Sequence, residues 1–196
     1  MAFAVTLTKK SGTLLGQGKD GYIVDTISCG NLSKENGYVS KIFKQPTKVN
    51  VLLHNKLKEI DPNNERFNRY YFPDYKDFNI DQVRYEILGI KHNIDINNIA
   101  FQKYLVPLNS QQMTKAQYRY LRKSLEILHK NNISHGDLPE NVMIDPADHL
   151  PRIIDWENAT TGCDTADKII DYNAFLSHYK ITKPHTIEGM TILLLK

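Results

Sequence analysis

Residues 135–145 read His-Gly-Asp-Leu-Pro-Glu-Asn-Val-Met-Ile-Asp, and residues 152–157 read Arg-Ile-Ile-Asp-Trp-Glu after a short polar segment. The apolar residues 142–144 and 153–154 have the length and composition of the two arms of a hairpin. Three side chains that handle protons or metal ions flank these arms: Asp137, Asn141 and Asp155. Such an arrangement can hold a divalent cation close to a hydroxyl nucleophile.

The composition is typical of a folded protein without a membrane span. The chain has 196 residues, 41% of them apolar, enough for one domain or two small lobes that share a cleft. A net charge of +3 without a basic stripe argues against nucleic-acid binding. No run approaches the ~20 apolar residues of a membrane helix, and the first ten residues lack the pattern of a Sec signal. We therefore expect a soluble, intracellular protein.

The two cysteines, Cys29 and Cys163, lie far apart and do not form a C-x-x-C motif. Neither a disulfide framework nor a zinc site is expected, and a reducing compartment is the default for such a chain.

Glycine turns and apolar periodicity predict the order of the elements. Strands are expected over 13–15, 22–28 and 38–43, and again over 100–106. Apolar residues at helical spacing predict helices over 47–60, 114–129 and 165–179. Thr47 is the expected cap of the first of these helices, and Thr114 with Gln117 forms a capping-box pattern at the start of the second.

Residues 66–98 are the hardest to assign. They are interpreted as an irregular insertion with a strand entry at 70–75 and at most one helical piece. The whole order predicts an α+β fold of two lobes that meet near residues 101–107. The first, sheet-rich lobe would be residues 1–103, and the second, mostly helical lobe would be residues 104–196.

A glycine loop of the form G-x-G-x-x-G-x-I lies between the first two predicted strands. Its residues are Gly16, Gln17, Gly18, Gly21 and Ile23. Glycines let the backbone approach phosphate oxygens and leave amide groups free to donate. An ordinary hairpin turn is the alternative, whereas a Rossmann fingerprint is disfavoured because a strand and not a helix follows.

Lys41 lies inside the apolar strand 38–43, about twenty residues beyond the glycine loop. It is either a solvent-facing lysine or the strand lysine that neutralises the α- and β-phosphates of a nucleotide. Glu59, near the end of the first predicted helix, is the candidate carboxylate that would hold Lys41. A solvated surface glutamate is the equal alternative for Glu59.

The opening stretch supplies the remaining catalytic candidates. Asp137 is the candidate base for a hydroxyl group, and Asn141 and Asp155 are the candidate metal ligands. Asp, Pro and Asn also favour simple turns, but Asp155 after a β-branched strand favours the metal-and-base interpretation, since a charge there is costly to bury unless it is paired or bound to metal. His135 is expected to brace the loop.

These motifs, in this order, resemble those of the protein-kinase-like fold. The resemblance implies ATP as phosphate donor and Mg²⁺ as cofactor, with Asp137 as base and Asn141 and Asp155 on the metal. It also implies that residues 101–106 form a hinge facing adenine, mostly through backbone groups, with Gln102 and Tyr104 as the contacts. The His-Gly-Asp-Leu and Asp-Trp-Glu segments are similar to those of aminoglycoside and choline phosphotransferases, whereas the glycine loop and Val-Ser-Lys are closer to protein kinases.

About forty residues follow Asp155, and no Ala-Pro-Glu motif is present. The chain resembles the minimal kinases that bacterial pathogens inject into host cells, above all the HopBF family of type III effectors. That family implies a monomer delivered by the type III route into the host cytoplasm. It also implies Ser/Thr phosphorylation and inactivation of a host protein, the ninety-kilodalton heat-shock chaperone (HSP90).

Three departures from the kinase pattern qualify this resemblance. Gly136 replaces the arginine before the loop aspartate, so control by activation-loop phosphorylation is not expected. The spacing from Asp137 to Asn141 is one residue shorter than in kinases, and Asp-Trp-Glu replaces Asp-Phe-Gly. A small-molecule phosphotransferase and a non-catalytic kinase-like binding module remain the alternative functions.

Overall fold

Strands and helices are mixed along the chain, and the fold is α+β. A computed structural model describes residues 5–7, 14–25, 27–45, 50–72, 83–87, 90–94, 96–108, 113–138, 140–178, 185–187 and 190–192. Its helices are α1 (Val51–Ile60), α2 (Lys115–Lys130) and α3 (Thr165–His178). Its strands are β1 (Val5–Leu7), β2 (Leu14–Gln17), β3 (Gly21–Val24), β4 (Ile27–Cys29), β5 (Tyr38–Phe43), β6 (Val83–Ile87), β7 (Ile90–Ile94), β8 (Ile99–Lys103), β9 (Val106–Pro107), β10 (Ile133–Ser134), β11 (Val142–Ile144), β12 (Pro151–Ile153), β13 (Thr160–Thr161), β14 (His185–Ile187) and β15 (Met190–Ile192).

The chain forms two compact units. The first comprises Met1–Asn50 and Arg69–Tyr104, and the second comprises Val51–Asn68 and Leu105–Lys196. The boundary after Tyr104 lies one residue from the one predicted. Residues 51–68, which the prediction placed in the first lobe, are instead part of the second unit.

The first unit is built on a sheet of four antiparallel strands in the order β2-β3-β5-β8. Residues on successive positions of a strand point to opposite faces, and one face of this sheet is apolar. Val24, Ile42, Ile99 and Phe101 of that face form a buried cluster with Ile27 and Cys29 of β4. The strand predicted over 38–43 is confirmed as β5, whereas the strand predicted over 22–28 is divided into β3 and β4.

The segment interpreted as an irregular insertion contains a hairpin. Strands β6 and β7 pair antiparallel, with Val83 opposite Ile94 and Ile87 opposite Ile90. The prediction of irregular structure was wrong for β6 and β7, whereas the one helical piece that it allowed corresponds to a short 3₁₀ turn, Ile96–Asn98. Of the strand entry predicted at 70–75, Tyr71 forms a bridge to Phe101, and residues 73–75 lie outside the described part.

The second unit buries the apolar faces of its three helices in one core. Leu53 and Leu57 of α1 are fully buried there, and each such leucine contributes about 1.5–3 kcal/mol. The other members of the core are Phe67, Leu121, Leu125, Leu128, Ile133, Leu138, Val142, Ile153, Trp156, Ala159, Tyr172 and Phe175. Helix α1 begins at Val51, and the cap predicted at Thr47 lies outside the described residues.

Helix α2 begins at the predicted capping box. The Thr114 hydroxyl accepts from the Gln117 backbone N–H at 3.2 Å, and the Gln117 side chain accepts from the Thr114 N–H at 2.8 Å. These two bonds satisfy backbone donors that the first turn of a helix leaves unpaired.

Short strands of the second unit place the candidate catalytic stretch. Strands β9, β11 and β12 form a three-stranded sheet, and β10 pairs with β13. Residues 66–68 lie along β12, because the Ile153 N–H donates to the Arg66 carbonyl and the Asn68 N–H donates to the Ile153 carbonyl. Phe67, which sequence analysis left in the insertion, therefore belongs to the core beneath the site.

Both cysteines are free thiols and buried, and no disulfide was predicted from the sequence. Among the described residues, none of the helices is long and apolar enough to cross a membrane.

Candidate active site

The β11–β12 hairpin brings the two predicted metal ligands together. Val142 pairs with Ile153, and the Ile154 N–H donates to the Asn141 carbonyl at 3.0 Å. Asn141 and Ile154 therefore lie opposite each other at the end of the hairpin, and Asp155 follows directly. The hairpin was predicted from its two β-branched arms, and this prediction is confirmed.

The shortened loop still joins Asn141 to Asp137. The Asn141 side-chain amide donates to the Asp137 backbone carbonyl at 2.8 Å and to its carboxylate Oδ2 at 2.9 Å. Because the amide nitrogen is used in this way, the amide oxygen of Asn141 is the atom available to a cation. The second unit thus places the carboxylate of Asp137, the predicted base, beside a predicted metal ligand.

Asp155 has a left-handed backbone conformation, with φ of 63°. Non-glycine residues seldom adopt positive φ, and those that do concentrate at functional sites and tight turns. Its side chain is partly exposed. Among the described residues, no group of three or more His, Cys, Asp or Glu side chains is arranged to hold a metal ion. A cation bound at Asn141 and Asp155 would need further oxygen ligands from phosphate or water, which is how Mg²⁺ is commonly bound.

His135 braces this loop, as predicted from its position. Its ring is buried, and Nε2 lies 2.8 Å from the Ile154 carbonyl oxygen. A contact to a carbonyl requires Nε2 to carry the proton. Burial lowers the pKa of His135, although the Ile154 carbonyl and the neighbouring carboxylates act in the opposite direction. His135 is therefore neutral at pH 7 and acts as a structural donor.

Trp156 lies under the same loop. Its ring packs edge-on against His135 at a centroid distance of 5.0 Å and against Phe67 at 5.8 Å. Its Nε1 donates to the Asn68 carbonyl at 3.1 Å. Trp156, the residue after Asp155, is thus both part of the core and a support for the loop.

Asp171 of α3 holds the start of the loop that carries Asp137. Its carboxylate accepts the His135 N–H at 2.7 Å and the Gly136 N–H at 2.8 Å, and His129 Nε2 lies 3.3 Å away. Burial would raise the pKa of Asp171, but the bonds from His129 and from the two backbone groups outweigh it and lower that pKa. Asp171 is therefore ionised and holds the backbone in place.

The structure gives a physical reason for the glycine at position 136, where the resemblance to kinases implies an arginine. Its φ is 73°, and a Cβ built on it would lie 2.8 Å from the backbone oxygen of Asn158. Real Cβ atoms essentially never come this close to an oxygen. The turn after Asp155 therefore packs directly against the backbone of the loop that carries Asp137.

In the first unit the glycine loop forms a β-hairpin turn. Strands β2 and β3 are its arms, and the Gly18 N–H donates to the Gly21 carbonyl at 3.0 Å. Gly21 is required by packing, since a Cβ there would lie 2.5 Å from the Ile42 carbonyl oxygen. Both the phosphate-loop interpretation and the ordinary hairpin predict this turn, so its form does not decide between them.

Strand register places most of the predicted nucleotide contacts on one face of the sheet. Ile23 pairs with Lys41, and Lys41 pairs with Ala100. Directly paired residues of antiparallel strands share a face, as do residues two apart on one strand. Gly16, opposite Ile23, and Gln102, two residues after Ala100, therefore lie on the Lys41 face. Gln17, opposite Tyr22, lies on the other face.

Lys41 is buried among aromatic rings. Its Nζ donates to the Tyr70 hydroxyl at 2.7 Å and lies 5.1 Å from the ring centroids of Phe43 and Tyr70. Lys41 is 8% exposed, so the interpretation as a solvent-facing lysine is wrong. Its partner within the first unit is Tyr70. Glu59 is exposed on α1 and belongs to the second unit.

The predicted hinge contains one donor that is already used. The Tyr104 N–H donates to the Gly37 carbonyl at 2.8 Å, so this group is not free to bind adenine. The Tyr104 ring is 43% exposed. Of the two predicted adenine contacts, Gln102 lies on the Lys41 face of the sheet. Tyr104 could contact adenine only through an atom other than its backbone N–H.

Sequence analysis missed three residues that hold the candidate site: Asp171, Asn158 and Tyr70. Asp171 carried a detectable signal, because it is an acidic residue on the buried face of a predicted helix, four positions before Phe175. Asn158 and Tyr70 carried none, since an asparagine in a turn and a tyrosine near a strand are ordinary.

Comparison with known proteins assigns the chain to no family. No protein-family model matches the chain, and no curated protein matches it at a significant level. Function is therefore inferred from the site.

Proposed function

We propose that this chain is an ATP-dependent phosphotransferase with a two-lobed, kinase-like fold. The face of the first unit that carries Lys41 would bind the triphosphate. In the second unit, Asp137 would accept the proton of the acceptor hydroxyl, and Asn141 and Asp155 would hold Mg²⁺. Mg²⁺, when bound, neutralises charge on the phosphates.

The observation that supports this proposal most directly is the loop of the second unit. An exposed carboxylate, Asp137, is held by the amide of Asn141, and Asp155 directly follows Ile154, whose N–H donates to the Asn141 backbone carbonyl. A simple turn would not need His135 and Asp171 buried beneath it with hydrogen bonds to the loop and to the segment before Asp155. Phosphate transfer requires mainly positioning and charge stabilisation, and a loop fixed in this way can supply both.

The chemical step is an in-line displacement. The acceptor hydroxyl oxygen forms a bond to the γ-phosphorus, and the bond from that phosphorus to the bridging oxygen of ADP breaks. The bonding electrons leave with ADP, and the hydroxyl proton moves to Asp137.

For the acceptor we propose a Ser or Thr hydroxyl of a host protein. This part of the proposal rests on the resemblance of the motifs to minimal effector kinases, which also suggests the ninety-kilodalton heat-shock chaperone as the target and type III delivery as the route. Purified chaperone, incubated with labelled ATP and the protein, tests it directly. Absence of incorporated phosphate would exclude this target but not the phosphotransferase activity.

A small-molecule phosphotransferase is the second candidate, and one contact favours it. Gly136 packs against the turn that follows Asp155, so the His-Gly-Asp and Asp-Trp-Glu segments form one packed arrangement. These two segments are the ones similar to aminoglycoside and choline phosphotransferases.

One assay separates these functions. Labelled ATP and Mg²⁺ are added with the protein to a host lysate that retains its small molecules, and transfer to proteins and to small molecules is measured. The variants Asp155→Asn and Lys41→Met are expected to lose at least ~100-fold in rate. Glu35→Gln and Lys123→Met change exposed residues outside the candidate site and serve as matched controls with full activity.

Labelling of a protein band that requires Asp155 and Lys41 supports the protein kinase. Labelling of small molecules alone supports the second candidate. If nothing is labelled, or if the Asp155→Asn protein labels as well as the wild type, the phosphotransferase proposal is wrong and a binding module is the better description.

A further inference from the structure

The turn that follows Asp155 is held firmly against the catalytic loop. The Ala159 N–H donates to the Trp156 carbonyl at 3.2 Å and closes the turn. Beyond it, β13 pairs with β10, so that Thr160 lies opposite Ser134. The segment after the turn is therefore bonded to the segment before His135, and Trp156 is anchored in the core. The position of Asn158 within this turn is fixed from both sides.

The glycine at position 136 allows the turn to come close. A Cβ at Gly136 would lie 2.8 Å from the Asn158 backbone oxygen and 3.8 Å from its Cβ. Only a residue without a side chain can occupy this position while the turn stays where it is. The close approach brings Asn158 next to the backbone of Asp137.

Two side-chain amides then meet on one oxygen atom. The Asn158 Nδ2 lies 3.4 Å from Oδ2 of Asp137, and the Asn141 Nδ2 donates to the same Oδ2 at 2.9 Å. Within the part of the chain that the structure describes, Asp137 Oδ1 receives no hydrogen bond. The longer of the two contacts is at the outer limit of a hydrogen bond, as is common before substrate is bound.

We propose that Asn158 is a positioning residue for the base. Together with Asn141 it holds Oδ2 of Asp137, so that Oδ1 faces the acceptor and takes the hydroxyl proton as the oxygen–phosphorus bond forms and the bond to ADP breaks. This inference rests on the proposed phosphotransferase function. A turn asparagine without this role would be replaceable by any residue that tolerates the turn.

The proposed role of Asn158 predicts an effect on the chemical step and not on the binding of ATP. Asn158 donates to the carboxylate assigned as the base, and the triphosphate is assigned to other residues. Replacement of Asn158 should therefore lower kcat and leave KM for ATP nearly unchanged. Loss of a hydrogen bond to a charged group corresponds to about a tenfold loss of rate.

The experiment compares four variants and the wild type with the same acceptor and ATP. Asn158→Ala is expected to lower kcat about tenfold, with KM for ATP within about twofold of the wild type. Asn158→Asp keeps the shape but places a carboxylate against Oδ2, and a larger loss is expected. Asn158→Gln keeps the amide and should recover part of the rate. Asn173→Ala, an exposed asparagine of α3, is the matched control with unchanged kinetics.

The thermal midpoint of each variant shows whether a loss of rate is a loss of folded protein. If Asn158→Ala keeps the wild-type kcat, or if its losses follow KM and the thermal midpoint, the inference is overturned while the proposed function stands. If the wild type transfers no phosphate at all, and Asp155→Asn is indistinguishable from it, the proposed function fails and this inference fails with it.

Discussion

Replacing Gly136 by alanine tests the close packing of the loop against the turn, and the chain contains its own control. Gly136 and Gly162 have nearly the same positive φ, 73° and 77°, and both belong to the second unit. A Cβ at Gly136 would lie 2.8 Å from a backbone oxygen, whereas a Cβ at Gly162 would meet nothing within 4 Å. The two substitutions therefore share the backbone cost and differ in the steric cost.

The magnitudes follow from these two terms. A left-handed conformation costs alanine about 1–2 kcal/mol. About half of this cost is offset, because alanine has a smaller conformational entropy than glycine in the unfolded chain. Gly162→Ala should thus lower the free energy of unfolding by about 1 kcal/mol. At Gly136 a backbone carbonyl must also move, and overpacking of this kind costs a further ~1–3 kcal/mol.

Urea unfolding at pH 7 measures this difference. The chain has one tryptophan, Trp156, and its buried ring contacts His135, so tryptophan fluorescence reports on the second unit at the site itself. We expect Gly136→Ala to unfold at a distinctly lower urea concentration than Gly162→Ala, which in turn lies slightly below the wild type. Equal midpoints for the two alanine variants would show that the turn does not press on the loop.

Two further predictions concern the groups beneath the loop. In Asp171→Asn, one of the two backbone N–H groups that the carboxylate accepts would face an amide donor. The free energy of unfolding should therefore fall by about 2–4 kcal/mol in the same urea assay. An unchanged midpoint would contradict the role of Asp171. Stability should also fall with pH in two steps. His135 has a lowered pKa in the folded state, so its contribution is complete above the ordinary value of 6.5 and is lost as pH falls below it. Asp171 likewise contributes fully above the ordinary value of 3.8, and this contribution is lost as pH falls through its lowered folded pKa. Urea midpoints between pH 8 and pH 3 measure both steps, and His135→Gln should remove the first while leaving the second.

The elements that sequence analysis predicted well are those with local signals. Strand β5 has apolar, β-branched residues bounded by turns, and α2 has a capping box followed by a helical apolar face. The β11–β12 hairpin combines two short β-branched arms with polar residues at their ends. In each case the residues that determine the structure are close together in sequence, which is the condition under which pattern analysis works.

What could not be predicted depends on distant contacts. Helix α1 has an apolar face that fits either unit, and only Leu53 and Leu57 in the core of the second unit decide the matter. Residues 66–68 pair with β12 through a single parallel bridge at Phe67. Such a short pairing requires no alternating apolar pattern in the sequence, so none predicted it. The brace from Asp171 spans more than thirty positions to His135 and Gly136, a distance over which no periodicity operates.

The departures from the kinase pattern depend on one another in the folded chain. A side chain at position 136 would displace the turn that carries Asn158, because its first carbon would already be too close to the Asn158 oxygen. The shortened loop keeps its bond from Asn141 to the Asp137 carbonyl, and the same amide also reaches the carboxylate. A longer loop with an arginine at position 136 would need a different turn after Asp155. Gly136, the short spacing and the residues after Asp155 therefore act together to hold the Asp137 carboxylate, and substitutions among them are expected to be non-additive.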